Sequence, residues 1–270
     1  MKKAIYIAVV VFLLLVFGVS AFFVGSYLLE GREQAARYDE LAQSVKDAQA
    51  TTPSTEATEA PTEQTTVPTE TVETIPTEPQ MLPGYAELWE LNNDLVGWLR
   101  IEDTVIDYPV MHTPDAPNFY LDKDFDKRNS ARGALYIREE CDVFDPSDNV
   151  TIFGHTMMDG SMFAYLHNYV EPSVWERNPL IFFDNLYEYH VYKIFAVFKT
   201  SANLGEGFAY HQMEYAESEE DFNEFIATCK DLAFYDTGIT PEYGDKVICL
   251  STCEYSQENG RLVVAAVRIS

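Results

Sequence analysis

The chain has 270 residues, of which 47% are hydrophobic, and 44 acidic against 18 basic residues give it a formal net charge of -26. Nucleic-acid binding needs clustered cations to neutralise phosphates, so this charge balance excludes DNA and RNA as expected partners. The length and the hydrophobic fraction are sufficient for a domain with a substantial core.

The first element in the chain is a long apolar segment. Residues Ala4 to Leu29 are interrupted only by Gly and Ser, and at about 1.5 Å per residue a helix of this length exceeds the ~30 Å hydrocarbon layer of a bilayer. Lys2 and Lys3 precede it, which by the positive-inside rule favours a cytoplasmic N-terminus and an extracellular remainder. Val19-Ser20-Ala21 resembles a signal-peptidase site, but the apolar sequence continues beyond it and favours an uncleaved anchor. We assign residues 1–30 to a cytoplasmic stub and a single-pass membrane anchor.

Two segments of lower apolar content follow the anchor. Residues 31–50 have a helix-forming composition with scattered charges, and we interpret them as a short solvated stalk. From Thr51 to Gln80, Thr, Pro and Glu alternate without Lys or Arg, a composition that cannot bury a core and predicts a disordered spacer. A coil of this kind spans on the order of 30 Å and would hold the following domain clear of the lipid. We assign residues 31–81 to stalk and linker.

The remaining residues, 82–270, have the pattern of one domain that is mainly β with peripheral helices. Short runs rich in Val, Ile, Phe and Tyr predict strands near residues 97–110, 133–138, 149–154, 179–183, 189–199, 246–252 and 262–269. Helical spacing occurs over residues 84–93, 161–169 and 218–231. Such a succession of strands predicts a closed or nearly closed barrel.

Three strand ends carry side chains suited to acyl transfer. Cys253 ends one predicted strand and Arg261 begins the next after a loop of roughly seven residues, and His155 follows the apolar run that ends at Gly154. A thiolate attacks a carbonyl carbon, an imidazolium protonates the departing amine, and a guanidinium stabilises charge on the carbonyl oxygen. The residue types therefore predict either a protease or a transpeptidase, depending on whether water or an amine resolves the acyl-enzyme.

The other cysteines and the acidic loops do not predict a disulfide or a metal site. Cys249 and Cys253 lie about 13 Å apart if both are on one strand, too far for a disulfide. We expect Cys141 and Cys229 to be free, buried thiols. Neither the spacing of a calcium loop nor a Cys/His pattern for zinc occurs. We therefore expect no metal and no cofactor.

Several separated blocks of this sequence resemble the sortases, the cysteine transpeptidases of Gram-positive cell surfaces. Phe-Gly-His-Thr at residues 153–156 and Leu-Ser-Thr-Cys at 250–253 with Arg261 resemble the family as a whole. The blocks that resemble class B are Met-Asp-Gly-Ser-Met-Phe-Ala-x-Leu at 158–166 and those at residues 91–101, 106–110, 119–121 and 133–136. The sequence departs from the family at Cys249, where threonine is usual, and at Pro117, near a common asparagine.

The resemblance implies an eight-stranded sortase-type β-barrel with a long helix before the cysteine strand, for which residues 218–231 are the candidate. It implies cleavage of a C-terminal sorting signal after Thr and transfer to an amine of peptidoglycan or of a pilin. The implied catalytic residues are His155, Cys253 and Arg261, and the implied substrate-binding residues are Leu121, Ser251 and Glu254. A secreted cysteine protease of different specificity and a non-enzymatic, wall-associated binding module are the alternatives.

Overall fold

Eight strands form a closed barrel in the computed structural model, which describes residues 2–51, 79–203, 205–256 and 258–270. Around the barrel the strands follow the order β1-β2-β3-β4-β7-β8-β6-β5. Their bounds are β1 Leu95–Arg100, β2 Asp107–Met111, β3 Leu135–Ile137, β4 Asn149–Phe153, β5 Leu180–Asn185, β6 Val191–Ser201, β7 Val247–Glu254 and β8 Gly260–Arg268. The prediction of a mainly β, eight-stranded barrel is confirmed.

The predicted strand over residues 97–110 is in fact the antiparallel pair of β1 and β2. Arg100 pairs with Asp107, and the turn between them contains Asp103 in a left-handed conformation with φ 55°. Ile101 and Ile106 are both buried on either side of this turn. Only Glu102, Asp103 and Thr104 interrupt the apolar residues in this part of the sequence, and so short a polar stretch does not clearly divide one run into two strands.

Three of the helices pack around the barrel. They are α2 Tyr85–Leu91, α3 Pro172–Arg177 and α4 Glu219–Leu232, and the predicted helix over residues 161–169 is a 3₁₀ helix at Phe163–Val170. At the start of α4 the Ser218 hydroxyl accepts a hydrogen bond from the Asp221 amide at 3.2 Å, as expected for an N-cap. The buried face of α4, which includes Phe222 and Phe225, covers the outer surface of β6, β7 and β8. This helix confirms the long helix expected before the cysteine strand.

The fourth helix, α1, runs without interruption from Lys2 to Thr51. Its N-terminal part is exposed and is long and apolar enough to cross a membrane, whereas its second half packs against the barrel. Tyr38, Leu41, Ala42 and Val45 are buried there, at the i, i+3, i+4, i+7 spacing of one helix face. The interpretation of residues 31–50 as a solvated stalk is therefore wrong, because the scattered charges lie on the other faces of a docked helix.

The predicted spacer lies for the most part outside the described residues, at 52–78, but its flanking residues are described. On the C-terminal side of the spacer, Gly84 has φ 85°, and a Cβ at this position would lie 2.8 Å from the Cα of Val45 in α1. The Leu82 amide also donates to the Leu186 carbonyl at 2.7 Å. The described residues on both sides of the segment thus lie against the domain, and α1 contacts the barrel directly.

Candidate active site

A groove crosses the outer surface of four neighbouring strands, and strand register determines which side chains form its floor. Tyr136 of β3 pairs with Phe153 of β4, and Phe153 pairs with Ser251 of β7. Directly paired residues share a face of the sheet, as do residues two apart along a strand. A cavity of about 70 Å³ on this face is lined by Leu121, Tyr136, Phe153, Gly154, His155, Ser251, Thr252, Cys253 and Arg261.

Cys253 and Arg261 are direct partners in the antiparallel pair of β7 and β8. This confirms the predicted pairing of the two strands and puts the two Cβ atoms about 5 Å apart on one face. Arg261 Nη1 donates to the carbonyl oxygens of Gly260 at 3.0 Å and Asn259 at 3.4 Å. Among the described residues no carboxylate forms an ion pair with Arg261. The backbone therefore holds a guanidinium whose remaining N–H groups are available to an anion beside the thiol.

His155 follows β4 and is fixed by the residue before it and by a backbone carbonyl. A side chain at Gly154 would bring its Cβ within 2.5 Å of Leu135 and 2.6 Å of Phe163, so only glycine fits at the exit of this strand. His155 Nε2 lies 2.7 Å from the carbonyl oxygen of Leu121. A carbonyl only accepts, so Nε2 carries the hydrogen of this bond and Nδ1 is left to exchange a proton with a substrate.

Cys253 is the one accessible thiol among the four cysteines, all of which are free. Burial raises the pKa of Cys141 to about 12 and raises the pKa values of Cys229 and Cys249 further. These three thiols stay protonated and cannot reach a substrate, because a thiol reacts as its thiolate and needs access. The predictions that Cys141 and Cys229 are free and buried are confirmed.

Two tyrosines that sequence reasoning missed support the groove. Burial raises the pKa of Tyr136 to about 12 although the nearby Arg261 cation opposes this, so the hydroxyl stays protonated in the cavity. Its Oη donates to the Asn118 side-chain oxygen at 3.1 Å. Tyr210 Oη lies 2.5 Å from the hydroxyl oxygen of Ser251. Tyr136 lies in the block at residues 133–136 that resembles class B, which was the available signal, whereas the position of Tyr210 follows only from the tertiary structure.

Sequence reasoning also missed a hydrogen-bonded network behind Cys253. The Thr156 hydroxyl donates to the Cys253 carbonyl at 3.1 Å and lies 2.8 Å from the hydroxyl of Thr252, which donates to the Gly154 carbonyl at 2.7 Å. His167 Nε2 is 3.1 Å from the same Cys253 carbonyl. These bonds join the end of β7 to the loop that carries His155, so they fix the thiol relative to the imidazole.

The structure brings together five of the six residues singled out in the sequence and leaves Glu254 outside the cavity. Leu121 lies at the rim and is 46% exposed, and Ser251 lies in the floor. Neighbouring residues of a strand point to opposite faces, so Glu254 points away from Cys253 and accepts from Lys199 Nζ at 2.9 Å. Burial would raise the pKa of Glu254, but bonds from Ser256 and Lys199 lower it below its usual value. Its carboxylate is thus engaged in an ion pair.

Within the described part of the chain, no group of three or more His, Cys, Asp or Glu side chains is arranged to hold a metal ion. The chemistry available in the cavity is that of a thiol, an imidazole, a guanidinium and a tyrosine hydroxyl.

Comparison with known proteins places this arrangement in a family. The family model for the sortase domain matches residues 99–269. Sortase B of Listeria monocytogenes is 32% identical over 182 residues, which cover 66% of this chain and 71% of that protein. Sortase B of Staphylococcus aureus is 27% identical over 186 residues, 68% of this chain and 74% of that protein. A Staphylococcus aureus sortase B-substrate complex superposes with a TM-score of 0.74 at 23% identity and covers 90% of this chain and 99% of that structure. The chain belongs to the sortase family of cysteine transpeptidases and, with these relatives, to its class B.

Proposed function

We propose that the chain cleaves a C-terminal sorting signal after Thr and joins the new carboxyl group to an amine, with Cys253 as nucleophile, His155 as proton donor and acceptor, and Arg261 as oxyanion partner. The observation that carries this proposal is the direct pairing of Cys253 with Arg261 in a cavity that His155 also lines. A thiol, an imidazole and a guanidinium that line one cavity are the groups that acyl transfer requires.

In the first half-reaction the Cys253 thiolate attacks the carbonyl carbon of the scissile peptide bond. The electron pair of the carbonyl moves to its oxygen, and the resulting anion accepts hydrogen bonds from Arg261. The C–N bond then breaks as the protonated His155 gives its proton to the leaving amine, which leaves a thioester on Cys253. Because Nε2 is bonded to the Leu121 carbonyl, Nδ1 is the nitrogen that transfers this proton.

In the second half-reaction an amine attacks the thioester carbon and gives a proton to the neutral His155. The Cys253 sulfur departs as thiolate, so the amide product is released and the enzyme is regenerated. The amine would be that of a peptidoglycan stem or cross-bridge, or of a pilin. We propose that the rim residue Leu121 contacts the signal peptide and that Ser251, held by Tyr210, shapes the floor beneath it.

The same proposal includes a single-pass membrane anchor with the N-terminus in the cytoplasm and the barrel outside. The exposed apolar part of α1 and the preceding Lys2 and Lys3 support this orientation. Reporter fusions at the two termini of the full chain test it. An external C-terminal reporter is expected, and a cytoplasmic one would contradict the topology.

The reaction is tested by incubating the domain with a library of five-residue signals that contain Thr, with and without an added amine. Transpeptidation predicts that cleavage after Thr yields a peptide–amine conjugate when amine is present, and that Cys253→Ala yields neither cleavage nor conjugate. Cleavage that gives only the free acid at saturating amine would favour the protease alternative. Absence of any Cys253-dependent cleavage across the library would favour a binding module.

A further inference from the structure

The outer end of the apolar span touches the barrel through one buried arginine. Arg132, which precedes β3, is 2% exposed. Its guanidinium carbon lies 4.4 Å above the ring centre of Tyr27, and its Nη1 lies 3.4 Å from the Tyr27 carbonyl oxygen. On the other side, Arg132 Nη2 donates to Asp159 at 2.7 Å. Asp159 belongs to the loop that follows His155, so Arg132 contacts the helix through Tyr27 and the His155 loop through its ion pair with Asp159.

Tyr27 marks the level of the lipid interface. Tyr6 and Tyr27 lie near the two ends of the apolar stretch, 21 positions apart, which corresponds to about 31 Å of helix and matches the ~30 Å hydrocarbon layer. Tyrosines at both ends of a span anchor it at the two headgroup regions. Arg132, stacked on Tyr27, then lies at the level of the outer headgroups, where a guanidinium is favoured over the hydrocarbon.

The contacts between α1 and the barrel continue directly from this point, so the helix has no free hinge. A Cβ on Gly31 would lie 2.2 Å from the Arg132 guanidinium. Glu30 accepts from the Ala131 amide at 3.1 Å, and Gln34 donates to the Gly133 carbonyl at 2.7 Å. The span and the domain are thus one rigid unit from the interface onward.

We propose that the barrel rests on the outer phospholipid surface through the residues 130–133 and the loop 157–161, with Met158 in contact with lipid. This inference rests on the membrane anchoring proposed above. Met158 is the most exposed of the large hydrophobic side chains beyond α1. One such residue carries no meaning alone, but Met158 precedes Asp159, whose partner Arg132 stacks on Tyr27 of the helix. The His155 loop is consequently held at a fixed height directly above the lipid.

The length of α1 gives the distance between the two ends of the domain. Gln49, near the end of α1, hydrogen-bonds Tyr189 in the turn between β5 and β6. From Tyr27 to Gln49 the helix rises about 33 Å, or at least about 25 Å if it tilts by ~40°. The neighbouring Glu188 has 67% of its side chain exposed. Met158 and Glu188 therefore mark the lipid-facing and the distal ends.

Fluorescence quenching in vesicles tests the proposal with the full chain. A fluorophore is attached to Met158→Cys or, as the matched control, to Glu188→Cys, both in a Cys253→Ala background whose remaining thiols are buried. The carriers are phosphatidylcholine–phosphatidylglycerol vesicles with a headgroup-attached nitroxide, and flotation shows whether the chain is bound. We expect at least threefold stronger quenching at position 158 than at position 188.

Equal, weak quenching at both positions in floated protein would overturn the proposal while leaving the anchor intact. Failure to float would refute the anchor and the inference together.

A second variant tests the role of α1: Leu41→Asp places a charge in the buried helix face, and Gln43→Asp places one on the exposed face. The difference in quenching should disappear in Leu41→Asp and persist in Gln43→Asp. A difference that persists in both variants would show that docking of α1 does not set the height.

Discussion

Replacement of Leu41 by alanine distinguishes a docked helix from a solvated stalk. Leu41 is 2% exposed and lies in the apolar stripe of α1 that faces the barrel. Truncating a leucine in such an environment removes buried apolar surface and leaves a cavity, which typically costs about 2–5 kcal/mol in the free energy of unfolding. On a solvated helix the same change would cost less than ~0.5 kcal/mol, because alanine is the better helix former.

The assay is urea and thermal unfolding of the fragment 30–270, which retains the second half of α1 but not the apolar span. For a domain of this size, each kcal/mol shifts the melting temperature by about 2–4 °C. We expect Leu41→Ala to lower it by about 4–20 °C. The control is Gln43→Ala, two residues away on an exposed face of the same helix, which should change the melting temperature by less than ~2 °C. Equal stability of the two variants would refute the docking of α1.

Three further predictions concern the cavity and the ion pair beside the apolar part of α1. Cys253→Ala should abolish cleavage and leave the melting temperature within a few degrees of wild type, as measured on the same fragment, since this half-exposed thiol contributes little packing; retained cleavage would identify a different nucleophile. Arg261→Lys should lower kcat about 10²- to 10³-fold despite its conserved charge, because lysine lacks the planar fork of donors, and near-wild-type turnover would reduce Arg261 to an electrostatic role. Burial would raise the pKa of Asp159, but hydrogen bonds from Ser161 and Arg132 outweigh this effect and lower the pKa. The ionised Asp159 therefore stabilises the folded state at pH values above the ordinary aspartate pKa, and this contribution is lost as the pH falls through the lowered pKa. Asp159→Asn should therefore lessen the loss of stability on acidification, and an unchanged acid limb of the stability curve would contradict this.

The C-terminal half of the site could be predicted because its positions depend on local sequence. The polar loop between β7 and β8 marks both strand ends, and strand pairing then places Cys253 opposite Arg261. Glycine before His155 likewise marks the end of β4. The resemblance to sortases added the roles of these residues, which residue types alone left open between hydrolysis and transpeptidation.

The features that escaped prediction depend on contacts between distant segments. Tyr210 reaches Ser251 across 41 positions of sequence, and no local pattern indicates such a bond. Glu254 follows Cys253 in sequence, but strand alternation turns it toward Lys199. The apolar stripe that begins at Tyr38 was not recognised because charged residues separate its members in the sequence. A helix that buries a single face has polar residues on its other faces.

Mass spectrometry of the intact acyl-enzyme tests the central claim most directly. The domain is mixed with a Thr-containing signal peptide in the absence of an amine, quenched in acid and digested for mapping. The account predicts a thioester adduct on Cys253 with the mass of the fragment ending in Thr, and its conversion to a peptide–amine conjugate when an amine is added. An adduct on Cys249, or cleavage of the peptide without any adduct, would contradict it.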